Sequence, residues 1–416
     1  MPTVVKSGSP AANRFFNVGL FTEVTKNNTF TNTLTDAEIP KTVAKDKKKG
    51  VSQTSRGAPV VRVTDLSKSK GEEVTMDLFH ELRGLPTMGD RKLEGRGESI
   101  TSSQFSLKIN QGRHMVDSGG KMSQQRTLHD LVMVANSLLS PYYNALDDQL
   151  SQIHLAGARG DMTADWIVPA ASHPEFGEIT VNPVTPPTYD RHFYAADATA
   201  LTNLEATDTF NLKEVEKLKL LIDEMPNPLQ PVRFEGDQAA DDEPFYVLYV
   251  TPRQWYDFRV STDANFGAQA LQRMQADALT RASMFNHPIF KGGAVLWNNI
   301  LIKKMARSVR FNAGSSVLVS QNNADATATS VTAAVRTERA ILLGAQALAN
   351  AYGMAGSATK GGYHFSMNTE ETDHGNAKEH SIAWMQGKAK IRFRDSNGRI
   401  NDHGVAVLDT AVSTAV

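Results

Sequence analysis

The sequence predicts an α+β fold. Three observations carry that expectation. Several short runs alternate apolar and polar residues with period two. One long stripe repeats at three- and four-residue steps. No regular strand–helix–strand rhythm connects them.

Residues 1–57 form the first compositional zone, rich in Asn, Thr, Ser and Lys, with Lys41, Lys45, Lys47, Lys48 and Lys49 close together. A small apolar cluster of Phe15, Phe16, Val18, Leu20, Phe21 and Val24 interrupts it. The cluster suits a short docking helix. The rest buries too little apolar surface to fold alone and reads as an extended arm. Its lysines suit a solvated linker, or an arm that meets a neighbouring chain or nucleic acid.

Strands come next. Pro59-Val60-Val61-Arg62-Val63 is β-rich. Val74, Met76 and Leu78 alternate with Thr75 and Asp77, and Phe105, Leu107 and Ile109 alternate with Ser106 and Lys108. Between them lies the glycine-rich, charged stretch 83–97, which carries no core signal. Segment 58–116 therefore reads as a long β-excursion with a polar, mobile tip, which needs a surface to lie on.

A long helix is expected over 123–156. Its stripe is Leu128, Leu131, Val132, Ala135, Leu138, Tyr142, Leu146, Leu150 and Ile153. Ser123 is the candidate N-cap and Gly157 the stop. Such a helix would span roughly 50 Å. Pro141 removes one backbone donor inside it and predicts a bend. The stripe keeps nearly the same phase across Pro141, which favours one bent helix over two.

The remainder mixes both element types. Residues 158–210 are loop-rich, with Pro169, Pro174, Pro183, Pro186 and Pro187. Helices are expected at about 211–224, from Thr251-Pro252 onward, at about 267–285, and over 336–352. Phe245 to Val250 reads as a buried strand. Ala294 to Trp297 and Ile300 to Ile302 read as strands turned by Asn298-Asn299. Residues 321–332 suggest a polar loop. Strands close the chain at 380–385, 389–393 and 405–408, with a turn at Asn397-Gly398.

At 416 residues the chain exceeds the roughly 250–300 residues that one core serves, so at least two packing units are expected. A formal net charge of -1 gives no global basic field, though a local patch could still touch DNA. Cysteine is absent, which excludes disulfides, thiolate metal sites and cysteine nucleophiles. Met1 to Pro10 lack the apolar core of a signal peptide. No run approaches the ~20 apolar residues of a membrane span. Folding in a cytoplasm, with no membrane contact, is expected.

Candidate chemistry is sparse. Arg159-Gly160-Asp161 matches an adhesion tripeptide, but three common residues coincide often. Gly95-Arg96-Gly97 lacks the spacing of a nucleotide loop and reads as a turn. His80-Glu81 lacks the second histidine of a zinc protease, and His114, His129 and His154 are dispersed. His364, Glu370, Glu371, Asp373, His374, His380, Asp402 and His403 form the best metal-binding set by composition. They lack a fixed ligand spacing and read as a polar loop between strands. No serine lies in a nucleophile elbow. No catalytic, cofactor-binding or metal residue is therefore assigned, and the chain is not expected to be an enzyme.

The stretch Glu72-Glu73-Val74-Thr75-Met76-Asp77-Leu78, with Gly97-Glu98, Phe105 to Gln111 and Arg113-His114, resembles the major capsid proteins of coliphage N-four-like podoviruses. So do His154 to Gly160, Thr251 to Trp255, His287 to Gly292, Glu338 to Ala347 and Gly387 to Phe393. The resemblance implies the Hong Kong 97 type of tailed-phage capsid fold: N-terminal arm, extended loop, spine helix, and peripheral and axial domains. The chain divides accordingly into an arm (1–57), an extended β-loop (58–116), a spine helix with peripheral domain (117–160) and a mixed axial and peripheral body (161–416). Some relatives cross-link through a lysine in the extended loop; Lys68, Lys70 and Lys92 lie there, with no matching motif. The implied function is self-assembly into the icosahedral head shell of a virion, built in the host bacterial cytoplasm. The implied partners are other copies in hexamers and pentamers, a scaffold, a portal, a decoration protein, and packaged double-stranded DNA contacted non-specifically. An encapsulin-like compartment and a metal-dependent hydrolase are the rival expectations.

Overall fold

The computed structural model describes residues 34–35, 57–63, 71–80, 82, 84–121, 131–162, 166–225, 227–234, 244–266, 268–284, 287–290, 292–322, 328–353, 364–395 and 398–412. Elements are numbered in chain order. The arm apart from Leu34, Thr35 and Gly57, together with Lys68, Lys70, Ser123, Leu128, His129 and Asn397, lies outside them.

The largest sheet is built on β12 (Thr337–Leu343), flanked by antiparallel β18 (Val405–Ala411) and β6 (Tyr246–Val250). Parallel β5 (His192–Tyr194) extends it beyond β18. Parallel β8 (Ile300–Lys304) and then antiparallel β7 (Val295–Trp297) extend it beyond β6. β9 (Arg310–Phe311) caps the start of β12. Alternate residues serve two cores: Leu248, Leu342 and Ala340 join one, and Val247, Ile341 and Leu343 the other. A strand buried on both faces reads as a continuous apolar run.

That property corrects the expected helix over 336–352. The segment is two strands, β12 and β13 (Leu348–Tyr352), joined at 344–347. An alanine-rich run buried on every side carries no periodicity to separate helix from strand, and pairing with β18 and β6 overrode helix propensity. The polar segment 321–332 also holds a strand, β11 (Ala328–Thr332), paired with β10 (Ser316–Ser320).

Three helices among the described residues pack on this sheet. α3 (Leu212–Glu224) is capped by the Asn211 side chain, which accepts from the backbone N–H groups of Lys213 and Glu214. α4 (Pro252–Phe266) begins at a reciprocal cap: Thr251 N–H donates to Gln254 Oε1 and Gln254 N–H to Thr251 Oγ1. α5 (Ala268–Met284) follows. Val215, Leu218, Ile222, Phe258 and Met274 fill the layer beneath. As expected, Asn298 and Asn299 turn β7 into β8, both at positive φ.

The second sheet runs β1 (Val60–Val63), β13, β15 (Ala377–Lys390), β14 (His364–Thr372), with β4 (Asn110–Gly120) also paired to β15. β15 is one long strand, and β16 (Arg392–Arg394) pairs separately with β17 (Ile400–Asp402). α1 (Leu131–Ala156) packs on this sheet. It runs unbroken through Pro141, and Gly157 ends it at φ 67 with its N–H on the Ile153 carbonyl. Short α2 (Phe176–Thr180) lies in the loop-rich segment that follows.

The buried stripe of α1 is Ala135, Leu139, Tyr143, Leu146, Leu150 and Ile153. The expected stripe is one residue off at two positions, since Leu138 is exposed and Tyr142 half-buried while their neighbours Leu139 and Tyr143 are buried. Leu138-Leu139 and Tyr142-Tyr143 are doublets, so spacing fits either phase; the sheet selects one.

Segment 58–116 divides. β1 and β4 are built into the second sheet. The projecting hairpin is β2 (Glu73–Phe79) paired with β3 (Ser102–Lys108).

Candidate functional site

The hairpin is rooted at its base and bare at its tip. At the root, Leu107, Ile109, Val74, Met76 and Phe105 pack on Val61, Val63, Ala349, Ile391 and Phe393. The Phe105 and Phe393 rings meet edge-on at 6.2 Å. Asn182 ties the root down: its Nδ2 donates to the Lys108 and Lys388 carbonyls at 2.9 and 3.1 Å, and its Oδ1 accepts from Lys108 N–H at 2.9 Å. Gly387 lies beneath, where a Cβ would stand 1.9 Å from the Lys108 oxygen, so only glycine fits.

Beyond Phe79 the described tip lacks regular structure. Its legs are linked by His80 N–H on the Thr101 carbonyl and by Gly84 N–H on the Glu98 carboxylate, at 3.0 and 2.6 Å. Phe79, Leu82, Leu85, Met88, Leu93 and Ile100 are all exposed there, Leu85 to 94%. Charge and glycine dominate the composition of this stretch, which hid its apolar side chains from sequence reading. Val134 and Leu138 on α1 are a second exposed apolar pair. Large uncovered side chains gathered on one projection mark a surface that binds something.

Three buried ionic networks hold the body behind it. Lys388 on β15 approaches Asp147 on α1 at 2.5 Å and donates to Ser151 Oγ at 2.6 Å. Burial pushes the Lys388 ammonium down, and Asp147 opposes that shift. Asp402 takes Lys390 and Arg392, each at 2.8 Å. Burial alone would raise its carboxyl; the two cations hold it low. Asp409 takes Arg339 on both oxygens and His192 on one, each at 2.7 Å. Burial again opposes, and Arg339 with His192 hold that carboxyl well below the usual range. Arg339 also donates to the Ala156 carbonyl at 2.9 Å, tying the end of α1 to the large sheet. In these networks each carboxylate is held by at least one cation, and the pairs position the elements that carry them. A signal for them was present: single charges inside apolar runs, as in Val405-Ala406-Val407-Leu408-Asp409.

The sequence candidates do not converge. Asp402 is consumed by its ion pairs. His380 is buried on β15 with Nδ1 at 3.0 Å from Thr369 Oγ1. His374 lies in the turn after β14, and His403 stacks edge-on with Phe393. Among the described residues no three His, Asp or Glu side chains could hold a metal. His114 stacks on Tyr142, and His154 is buried against the Thr180 carbonyl. Arg159 is buried, donating to the Val168 and Met162 carbonyls, so the adhesion tripeptide is structural. Gly95-Arg96-Gly97 is a turn in the hairpin tip, with Gly95 at φ 77. No helix among the described residues is long and apolar enough to cross a membrane.

Comparison with known proteins follows this geometry. The profile of the phage capsid protein family matches residues 4–414. The major capsid protein of Pseudomonas phage KPP25 is 22% identical over 264 residues, 60% of this chain and 64% of that protein. The match thus spans less than two thirds of that relative. The capsid of Ralstonia phage GP4 superposes with a TM-score of 0.69 at 26% identity, covering 100% of both chains. The cyanophage Pam1 capsid gives 0.59 at 17% identity, covering 87% of this chain and 90% of that one. The capsid of Helicobacter pylori bacteriophage KHP30 gives 0.55 at 13% identity, covering 92% and 98%.

Proposed function

The chain belongs to the phage capsid protein family and has the α+β fold of the Hong Kong 97 type, and from that premise we propose that it is a major capsid protein, copies of which close into the icosahedral head shell of a tailed phage. The observation that carries this reading is the hairpin, rooted on its own body and bare at its tip. Each large apolar side chain is worth roughly 1.5–3 kcal/mol when fully covered. A tip seated on a neighbour would gain from six of them, and closure multiplies such contacts around the shell.

In this reading the second sheet with α1 is the peripheral domain, the large sheet with α3, α4 and α5 the axial domain, and 1–57 the arm. Partners would be other copies, scaffold, portal, a decoration protein, and double-stranded DNA held by non-specific phosphate contacts. The role is structural, not enzymatic, and its place is the virion. Motifs such as Gly387 to Phe393 support membership of the coliphage N-four-like subgroup. The capsid likenesses favour a phage head over an encapsulin-like compartment.

The test is to express the chain with its scaffold and image the product by electron microscopy. Closed shells are expected. A chain that stays monomeric in sedimentation with scaffold present would overturn the reading.

A further inference from the structure

Among the described residues β4 is hydrogen-bonded to β15 along one edge and to no strand along the other. Two bonds fix the direction of its backbone groups. Gln111 N–H donates to the Asn110 side chain at 2.8 Å, so it points away from β15. The Met385 carbonyl accepts from Gly353 N–H, just past β13, so odd-numbered residues of β15 face that side and even-numbered ones face β4. Backbone direction alternates along both strands of an antiparallel pair. Gly112, His114 and Val116 therefore bond to β15, opposite Trp384, Ile382 and His380. Arg113, Met115 and Asp117 turn their N–H and C=O groups to the open edge. Side chains close this stretch at both ends: Asn110 caps one, and at the other Asp117 Oδ1 accepts from Gly119 N–H at 2.7 Å. An open edge strand is a template for a further strand.

The side chains along the edge carry a pattern of their own. Arg113, Met115 and Asp117 are all exposed, Met115 to 54%. Arg113 stands opposite Ala383, with no carboxylate across from it. Asp117 stands opposite Glu379, and Glu379 opposite Glu370 on β14. Like charges directly opposite one another cost stability, and here three carboxylates share one row. Among the described residues neither Arg113 nor Glu379 forms an ion pair. The cation that the acidic row lacks is thus on the same edge, four residues before Asp117, with Met115 midway between them.

We infer that β4 of one copy pairs antiparallel with β4 of a second copy across a two-fold axis, with Met115 opposite Met115. In this register Arg113 of each copy stands opposite Asp117 of the other. Two ion pairs then flank an apolar centre, and each acidic row gains a guanidinium at its end. Pairing centred on Arg113 or on Asp117 would oppose like charges instead, and a slip of one residue would turn the free backbone groups away from each other. The contact is isologous, one patch serving both copies, and it joins the β14, β15 and β4 strands of two subunits into one sheet. It rests on the shell-forming reading above. A strand from a different protein is the competing occupant, but opposite charges placed symmetrically about Met115 are what a second copy of the same strand requires.

Cysteine is absent from the chain, so Met115→Cys puts a single thiol on the axis. Directly opposite residues of this kind lie about 5.5 Å apart at Cα, within reach of a disulfide. Oxidised shells, grown from the full chain with scaffold, should separate into linked pairs on a gel without reductant. Asp117→Cys, whose two copies would stand roughly 14 Å apart along the strands, should stay unlinked. Arg113→Asp should lower shell yield by about tenfold or more, and Arg113→Asp with Asp117→Arg should restore it. Met115→Cys shells whose chains remain single would overturn the pairing and leave the shell reading standing. Undiminished yield from Arg113→Asp would overturn it equally, and decides the matter where Met115→Cys does not assemble. Protection of the Met115 amide from hydrogen exchange in shells that give no linked pairs would assign the edge to a strand of another protein. Failure of the wild type to form shells would remove both readings.

Discussion

Arg339 and Asp409 stand directly opposite each other on β12 and β18 and close a two-point ion pair, 2.7 Å on each carboxylate oxygen, with no exposed surface on either side chain. The pair lies where the end of α1 meets the large sheet. It therefore fixes the junction between the two packing units as well as one strand pairing.

Asp409→Ala should destabilise the isolated subunit by about 3–5 kcal/mol, because it leaves a buried guanidinium uncompensated. Replacing both partners, as Arg339→Met with Asp409→Leu, should cost less. Denaturant unfolding measures both. A single-variant cost below roughly 1 kcal/mol would show that water or another group replaces the carboxylate.

Burial pushes His154 down to about 4. In the unfolded chain imidazole titrates near ~6.5. As pH falls from there towards 4, the unfolded state takes up a proton that the folded state refuses, and stability is lost, by up to ~3 kcal/mol. Asp148 works the other way. Burial raises it to about 6 despite Arg307 at 3.1 Å, so its contribution is present at acid pH and lost as pH rises through 6. Asp148 therefore offsets part of the loss due to His154, while His192 and His403, also pushed down by burial, add to that loss. His154→Gln should gain on the wild type as pH is lowered through that window. A stability difference independent of pH would show that His154 titrates alike folded and unfolded.

Leu85→Ser with Met88→Ser should leave subunit stability within ~0.5 kcal/mol, since neither side chain packs on the body. Shell yield should fall. Limited proteolysis should cut the wild-type tip, residues 83–97, in the free subunit and much more slowly in shells. Equal cutting in both states would mean that the tip does not lie on a neighbour.

Pro141 is exposed within a continuous helix, and Ser137, whose carbonyl it leaves without a donor, is exposed as well. Water can satisfy that oxygen. Pro141→Ala should still stabilise the subunit, by at most ~3 kcal/mol. If Pro141 fits the helix to the sheet beneath, the more stable variant should close shells poorly. Normal shells from it would make the proline incidental.

Much of the architecture was legible in the residues. Thr251-Pro252, Asn298-Asn299 and Gly157 act at the positions their chemistry predicts, because caps and turns depend on neighbours close in sequence. Alternation at Val74, Met76 and Leu78 marked a half-buried strand, since one face packs and the other does not. The histidines and carboxylates between His364 and His403, expected in a polar loop, lie largely on strands β14, β15 and β17 instead, because strand pairing across the sheet outweighs local polarity.

What the sequence by itself determined was the local grammar: an α+β chain with a projecting hairpin and one long helix. Tertiary structure alone decided three matters. It turned 336–352 into two strands, because a run buried on both faces has no period to read. It chose Leu139 and Tyr143 over Leu138 and Tyr142, because doublets satisfy either helical phase until a sheet covers one. It joined Arg339 to Asp409 and Lys388 to Asp147, because pairing across hundreds of residues depends on strand register and helix docking, which no local window contains.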